Sequence, residues 1–310
     1  MKNIINTRIL RVTARLLFIL FSAGFLTSCE DVVDLDIESG APQLVVEGWV
    51  TNQVKDQTIR LTESAPYFDN TPAKPALNAI VTVTDEKGKI FTFKDLKNNG
   101  NYVWQPASTR DTIGRVGGTY TLRIKLGTEE YSAISKLNRV PKIDSITYFF
   151  DKFPVARPDG GLQEGYTAEF FARDPMGAGD CYWIKSYKNG KYFDKAANIT
   201  IAFDAGFSPG GNSDGLSFIL PIRRSISPDF YQEKDTVKVE IYSIPLEGFY
   251  FLGQVRTESA NQGLFATAPS NIYTNVTNAN GRKALGFFGA AAISTYTEVI
   301  DAKKAKPKNG

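Results

Sequence analysis

The feature that most limits what this chain can fold into is a strict two-residue hydrophobic period. Tyr120, Leu122, Ile124 and Leu126 alternate with Thr121, Arg123 and Lys125, which places one set in a core and the other in water only if the backbone is extended. Around it lie similar short runs. Leu44 to Thr51, Thr58 to Thr62, Ala79 to Thr84, Ile90 to Phe93, Tyr102 to Gln105 and Glu130 to Ser135 each read as a strand. Glu86-Lys87-Gly88 and Asn99-Gly100 supply turns between them. Seven short strands over residues 41–138 are the pattern of an immunoglobulin-like β-sandwich. It contains no cysteine pair, so packing alone must hold it.

Val140-Pro141-Lys142 marks an expected boundary, and residues 139–300 read as a second β-rich domain. Strands are expected at Ile143 to Phe150, Tyr166 to Phe171, Asp180 to Tyr187, Lys191 to Asp194, Ile199 to Asp204, Leu216 to Ile222, and around Val237 to Ile241. Asn189-Gly190 is a hairpin signal. Pro245, with Glu247 close behind, predicts one helix near 245–259, with Leu246, Phe249, Tyr250 and Gly253 on one face. Two final strands fall near 283–288 and 293–299. The fold class is therefore mainly β, a sandwich followed by a β-rich domain with about one helix. The basic tail, residues 301–310, lacks apolar residues larger than alanine and is expected to be disordered.

Composition removes whole function classes. The 310 residues include no histidine, which excludes Ser-His-Asp and Cys-His catalysis and every His-ligated metal site. Of the two cysteines, Cys181 lies among Tyr182, Trp183 and Ile184 and reads as a buried, inert thiol. The other closes a distinctive front segment. Lys2, Arg8, Arg11 and Arg15 form a basic stretch without an acid, and Leu16 to Leu26 is a short apolar run. Leu26-Thr27-Ser28-Cys29 follows and resembles the lipobox of bacterial lipoproteins. The resemblance implies that residues 1–28 are a signal peptide and that Cys29 becomes the acylated first residue. One acyl chain of about 14 carbons binds a bilayer only marginally, so two or three would be needed for a stable anchor. Loss of residues 1–28 would take 36 Lys and Arg against 33 Asp and Glu to 32 against 33, so the apparent basicity is no argument for nucleic acid. Residues 29–40, acidic from Glu30 to Asp36, read as a tether. Behind such a cysteine, an acidic stretch resembles the signal that sends Bacteroidota lipoproteins to the outer face of the outer membrane.

Further motifs follow in order: LVVEGWVT, IRLTESAPYFD (Ile59 to Asp69), AIVTVTD (Ala79 to Asp85) and VPKIDSI (Val140 to Ile146), then GLFATAPSNIYTNV (Gly263 to Val276) and ALGFFGA (Ala284 to Ala290). Together with the lipobox, this order resembles the Bacteroidota outer-membrane lipoprotein family known as domain of unknown function 4249. The resemblance implies no catalytic residues and no cofactor. It implies anchoring in outer-membrane lipid through Cys29. It also implies a TonB-dependent β-barrel transporter as partner, for which the chain would be a non-enzymatic accessory or ligand-capture subunit. A surface adhesion or structural module is the alternative.

The candidate ligand site is an aromatic strand face. Trp183, Lys185 and Tyr187 point one way, and Tyr192 stands beyond the turn. Such a platform can stack a sugar, a peptide or an aromatic ring. The competing expectation is that both strand faces are ordinary core. The loop Gly206 to Gly215 is long and irregular enough for recognition. Asp204 and Asp214 hint at calcium, but their spacing does not fit an EF-hand, and no metal site is expected. Asp111-Thr112-Ile113, Asp144-Ser145-Ile146 and Asp235-Thr236-Val237 resemble bacterial O-glycosylation sites.

Overall fold

The computed structural model describes residues 41–308, apart from Tyr67, Phe68, Asn70, Asp159, residues 262–269 and Asn271. Residues 1–40, which include the expected signal peptide, Cys29 and the expected tether, lie outside the described residues, and residues 41–310 group as one compact unit. Seven strands open it: β1 (Leu44–Thr51), β2 (Gln57–Glu63), β3 (Ile80–Asp85), β4 (Ile90–Phe93), β5 (Asn101–Trp104), β6 (Thr119–Leu126) and β7 (Glu129–Lys136). Strands β1-β2-β5 form one sheet and β4-β3-β6-β7 run together in the other. This is the two-sheet arrangement of an immunoglobulin-like sandwich. The two-residue period does the sorting. Val46, Val50, Ile59 and Leu61 on one sheet meet Val81, Val83, Leu122 and Ile124 on the other in a single core. Each such side chain, fully buried, contributes about 1.5–3 kcal/mol.

Then follow β8 (Ile143–Lys152), β9 (Glu164–Ala172), β10 (Cys181–Lys188), β11 (Lys191–Tyr192) and β12 (Thr200–Phe203). After these come helix α1 (Leu220–Arg224), β13 (Thr236–Ile244), helix α2 (Leu246–Ala260), β14 (Thr277–Asn278), β15 (Leu285–Ala291) and β16 (Ile293–Val299). A five-stranded sheet has the order β11-β10-β13-β16, with β12 also pairing β10. The Asn189-Gly190 turn takes positive φ at both residues, 51° and 79°, as a tight β10–β11 hairpin demands. One face of this sheet presents Tyr182, Ile184, Val237, Val239 and Ile241 to the β8–β9 hairpin and to Ile222 of α1. The opposite face presents Cys181, Trp183, Tyr242 and Ile244 to Phe249 and Leu252 of α2, with Trp49 of β1 packed alongside. No helix among the described residues is long and apolar enough to cross a membrane.

Four expectations need correction. The sandwich does not end at residue 138: β15 pairs in parallel with β1, from Val45 beside Leu285 to Thr51 beside Ala291, and β14 pairs with β7. The free edges of β1 and β7 carry unpaired backbone groups, and the later segment satisfies them. The expected strand at 216–222 is instead turn followed by short α1, where Pro221 can supply no ladder hydrogen bond. Helix α2 is as expected within a residue or two, but of the predicted face only Phe249 is buried, alongside Gly248 and Leu252, while Leu246 and Tyr250 are exposed. The tail is not loose through residue 308. Its Lys306 amide donates to the Tyr148 carbonyl at 2.8 Å, and Lys308 Nζ lies 2.5 Å from Asp151 Oδ1.

Candidate functional site

The site is built by strand register. Antiparallel pairing of β10 with β13 sets Trp183 beside Tyr242, Lys185 beside Glu240 and Tyr187 beside Lys238, while the hairpin sets Tyr192 beside Tyr187. All four sequence-predicted residues, Trp183, Lys185, Tyr187 and Tyr192, therefore share one patch. The rings of Tyr187 and Tyr192 lie 5.3 Å apart and those of Trp183 and Tyr242 5.7 Å apart. The face is neither wholly core nor wholly exposed. Trp183 is buried against Trp49 at 5.6 Å, as ordinary core would be, whereas Lys185, Tyr187 and Tyr192 are only half-buried.

Two cations on the patch have different fates. Lys238 Nζ donates to Glu240 Oε1 at 2.8 Å, and the Tyr187 and Tyr242 hydroxyls donate to Glu240 Oε2 at 2.7 and 3.2 Å. Burial alone would push the Glu240 carboxyl up, but the hydrogen bonds from Lys238 and Tyr187 outweigh it and hold it below the usual range. Burial, followed by the hydrogen bond to Glu240, pushes the Tyr187 hydroxyl well above its ordinary value. For Tyr242 burial comes first and the Glu240 charge second, in the same direction. Lys185 instead points its ammonium at ring faces, 3.6 Å from the centroid of Trp183, 4.4 Å from Tyr242 and 5.3 Å from Tyr192. Burial holds its amine down to about 8, only partly countered by the Glu240 charge. The ring quadrupoles also favour the cation.

The patch opens into a cleft of about 380 Å³. Lys185 and Tyr242 line one wall, and Glu47, Trp49, Lys55, Asp56, Arg60 and Asn101 of the sandwich line the other. Junctions between β modules are favoured places for small-ligand sites. Trp183 Nε1 is buried without a hydrogen-bond partner, an arrangement that costs about 1–3 kcal/mol. The sequence did not single out Trp49, Lys238, Glu240 or Tyr242. Their strand identities were legible, but membership in the site depends on pairings across at least 50 residues, for which no local signal exists.

The expectation about acidic residues changes as well. Asp204 and Asp214 come together with Asp174, their carboxylate oxygens within 4.8 Å of one another. Asp204 Oδ1 accepts from the amides of Gly179 and Asp180, Asp214 Oδ1 from Gly177, and Asp174 Oδ1 from the Tyr182 hydroxyl at 2.5 Å. Burial, aided by the charges of Asp180 and Asp204, pushes the Asp174 carboxyl up. Three hard oxygen donors are the kind of set that Ca²⁺ or Mg²⁺ uses, and among the described residues this is where a metal could be held. The loop 206–215 is thus tied down through Asp214 rather than projecting freely. Of the three glycosylation-like motifs, Ser145 and Thr236 lie in paired strands, and the Thr112 hydroxyl lies 3.4 Å from the Thr51 and Gln53 carbonyls. Cys181 is buried as expected, its thiol pushed up to about 12 mainly by burial.

Among curated proteins none matches the chain. Among solved structures, a two-domain fibronectin type III segment of chicken tenascin is similar at 13% identity, covering 66% of this chain and 91% of that one, with a TM-score of 0.20. The strand order, not that likeness, defines the fold. The family model described as domain of unknown function (DUF4249) matches residues 30–297, and since this is most of the chain, the protein belongs to that family.

Proposed function

We propose that this protein is a lipid-anchored lipoprotein on the outer face of a bacterial outer membrane, serving as a non-enzymatic ligand-capture subunit of a TonB-dependent transporter. The observation that carries the reading is the front segment, a basic stretch, a short apolar run and Leu26-Thr27-Ser28-Cys29, with an acidic tether behind it. Acylation of Cys29 would hold the water-facing β body at the membrane. The cleft of about 380 Å³ between the sandwich and the β10–β13 sheet is where a ligand would be taken up. The absence of histidine from the sequence removes the usual general base near neutral pH and favours capture over turnover.

Two measurements test this. Mass spectrometry of the native N-terminus should find acylated Cys29, and a Cys29→Ser chain should leave the membrane fraction. Affinity purification from detergent-solubilised outer membranes should recover a β-barrel partner. An unmodified N-terminus defeats the anchoring. Recovery without any barrel defeats the transport role and favours the adhesion alternative.

A further inference from the structure

We propose that the Lys185 ammonium is the anchoring cation for a small organic carboxylate, held in the cleft with its ring or apolar part against Trp49 and Tyr242. This rests on reading the cleft as a capture site and names the ligand class it would take.

The argument begins with what Lys185 lacks. Its ammonium meets three ring faces, but no carboxylate lies within ion-pair distance among the described residues. The nearest acid in register, Glu240, already accepts from Lys238, Tyr187 and Tyr242. A half-buried cation has therefore lost much of its water without gaining a counter-ion. Lysines of this kind are normally either paired or fully solvated. An anion entering the cleft supplies the missing charge in a place where its water has already been removed, so pairing costs less desolvation than it would at an exposed lysine.

The cleft wall points the same way. It holds three cations, Lys55, Arg60 and Lys185, against two acids, Glu47 and Asp56. Arg60 reaches Glu47 only at 3.9 Å between exposed side chains, so that pair is weak and easily redirected. Asp56, in the β1–β2 connection, accepts from Gln105 at 3.1 Å. Trp49 and Tyr242 add aromatic surface to the cleft, the Tyr242 ring centroid 4.4 Å from the ammonium, and a volume of about 380 Å³ suits a compact ligand rather than a polymer. A carboxylate with a ring beside it satisfies both parts, the charge at Lys185 and the aromatic walls.

The test uses the purified full chain in detergent. Two acids, glucuronate and phenylacetate, are titrated by calorimetry, each against its uncharged counterpart, glucose and phenylacetamide. At least one acid should bind ten-fold or more tightly than its neutral partner. That preference should fall to near unity in Lys185→Met and persist in Lys185→Arg. If Lys185→Met does not fold, the wild-type chain still decides. Saturating acid should slow acetylation of Lys185 at least five-fold, read by peptide mass spectrometry, while the neutral partner leaves it unchanged. Absence of any acid preference, an unchanged preference in Lys185→Met, or no protection of Lys185 would overturn the proposal. These measurements read neither the modification of Cys29 nor the recovery of a barrel partner, so failure here leaves the anchoring and transport reading to its own tests.

Discussion

Replacing Glu240 with Gln isolates the polar centre of the patch. The substitution keeps the shape but replaces a buried carboxylate that accepts from Lys238, Tyr187 and Tyr242 with an amide that has one acceptor oxygen. A net hydrogen bond to a charged group contributes about 1.5–3 kcal/mol. Breaking a fully buried pair can cost about 3–5 kcal/mol, but the Lys238 side chain is 31% exposed and can turn partly to water. The expected loss is therefore about 2–3 kcal/mol. For a body of this size each kcal/mol moves the midpoint by about 2–4 °C, giving a fall of about 4–12 °C. Glu47→Gln, which disturbs an exposed pair with Arg60, should cost less than about 0.5 kcal/mol. The pH dependence has a definite sign. Because the folded Glu240 carboxyl titrates below its usual value of 4.5, its stabilisation is present above that value and is lost as pH falls through the lower, folded one. The gap between wild type and Glu240→Gln, measured by urea denaturation, should be full at pH 7 and shrink below about pH 4. A gap under about 0.5 kcal/mol at pH 7, or one that grows on acidification, would refute the reasoning.

Gly286 has φ of 85°, and a Cβ there would collide with the Val46 carbonyl oxygen across the β1–β15 pairing. Gly286→Ala should cost about 2–4 kcal/mol in urea denaturation, combining left-handed strain with the collision, and wild-type stability would contradict the parallel pairing. In a Cys29→Ser chain, Cys181 should stay silent to a thiol reagent at pH 8 until denaturant is added, because burial holds its thiol up to about 12. Fast reaction of the native protein would show that the β10 core is open.

The sandwich strands were legible because their information is local. Val81 and Val83, or Tyr120, Leu122 and Ile124, announce a buried face within a few residues, and the structure buries each of them. The Asn189-Gly190 hairpin and helix α2 were legible for the same reason, since a turn residue or a proline acts on its own backbone. Helix α2 still buried Gly248 and Leu252, which its sequence had not singled out as core, and Gly248 lets Trp49 and Phe287 approach its backbone closely. The candidate site divides along the same line. Trp183, Lys185, Tyr187 and Tyr192 are close in sequence and could be named together, whereas Glu240 and Tyr242 join them only through the register of β10 with β13.

What the sequence by itself determined is most of the strand content, the turns, the missing imidazole chemistry and an aromatic strand that carries a lysine. What only the tertiary structure decided is that β15 closes the sandwich edge beside β1, that Asp174 joins Asp204 and Asp214, and that Lys185 faces a cleft with no carboxylate at ion-pair distance among the described residues. The reason is physical. Hydrophobic period and turn geometry are properties of neighbouring residues, while edge pairing and charge pairing depend on which distant strand relieves the greatest number of unpaired backbone groups and exposed apolar side chains at once.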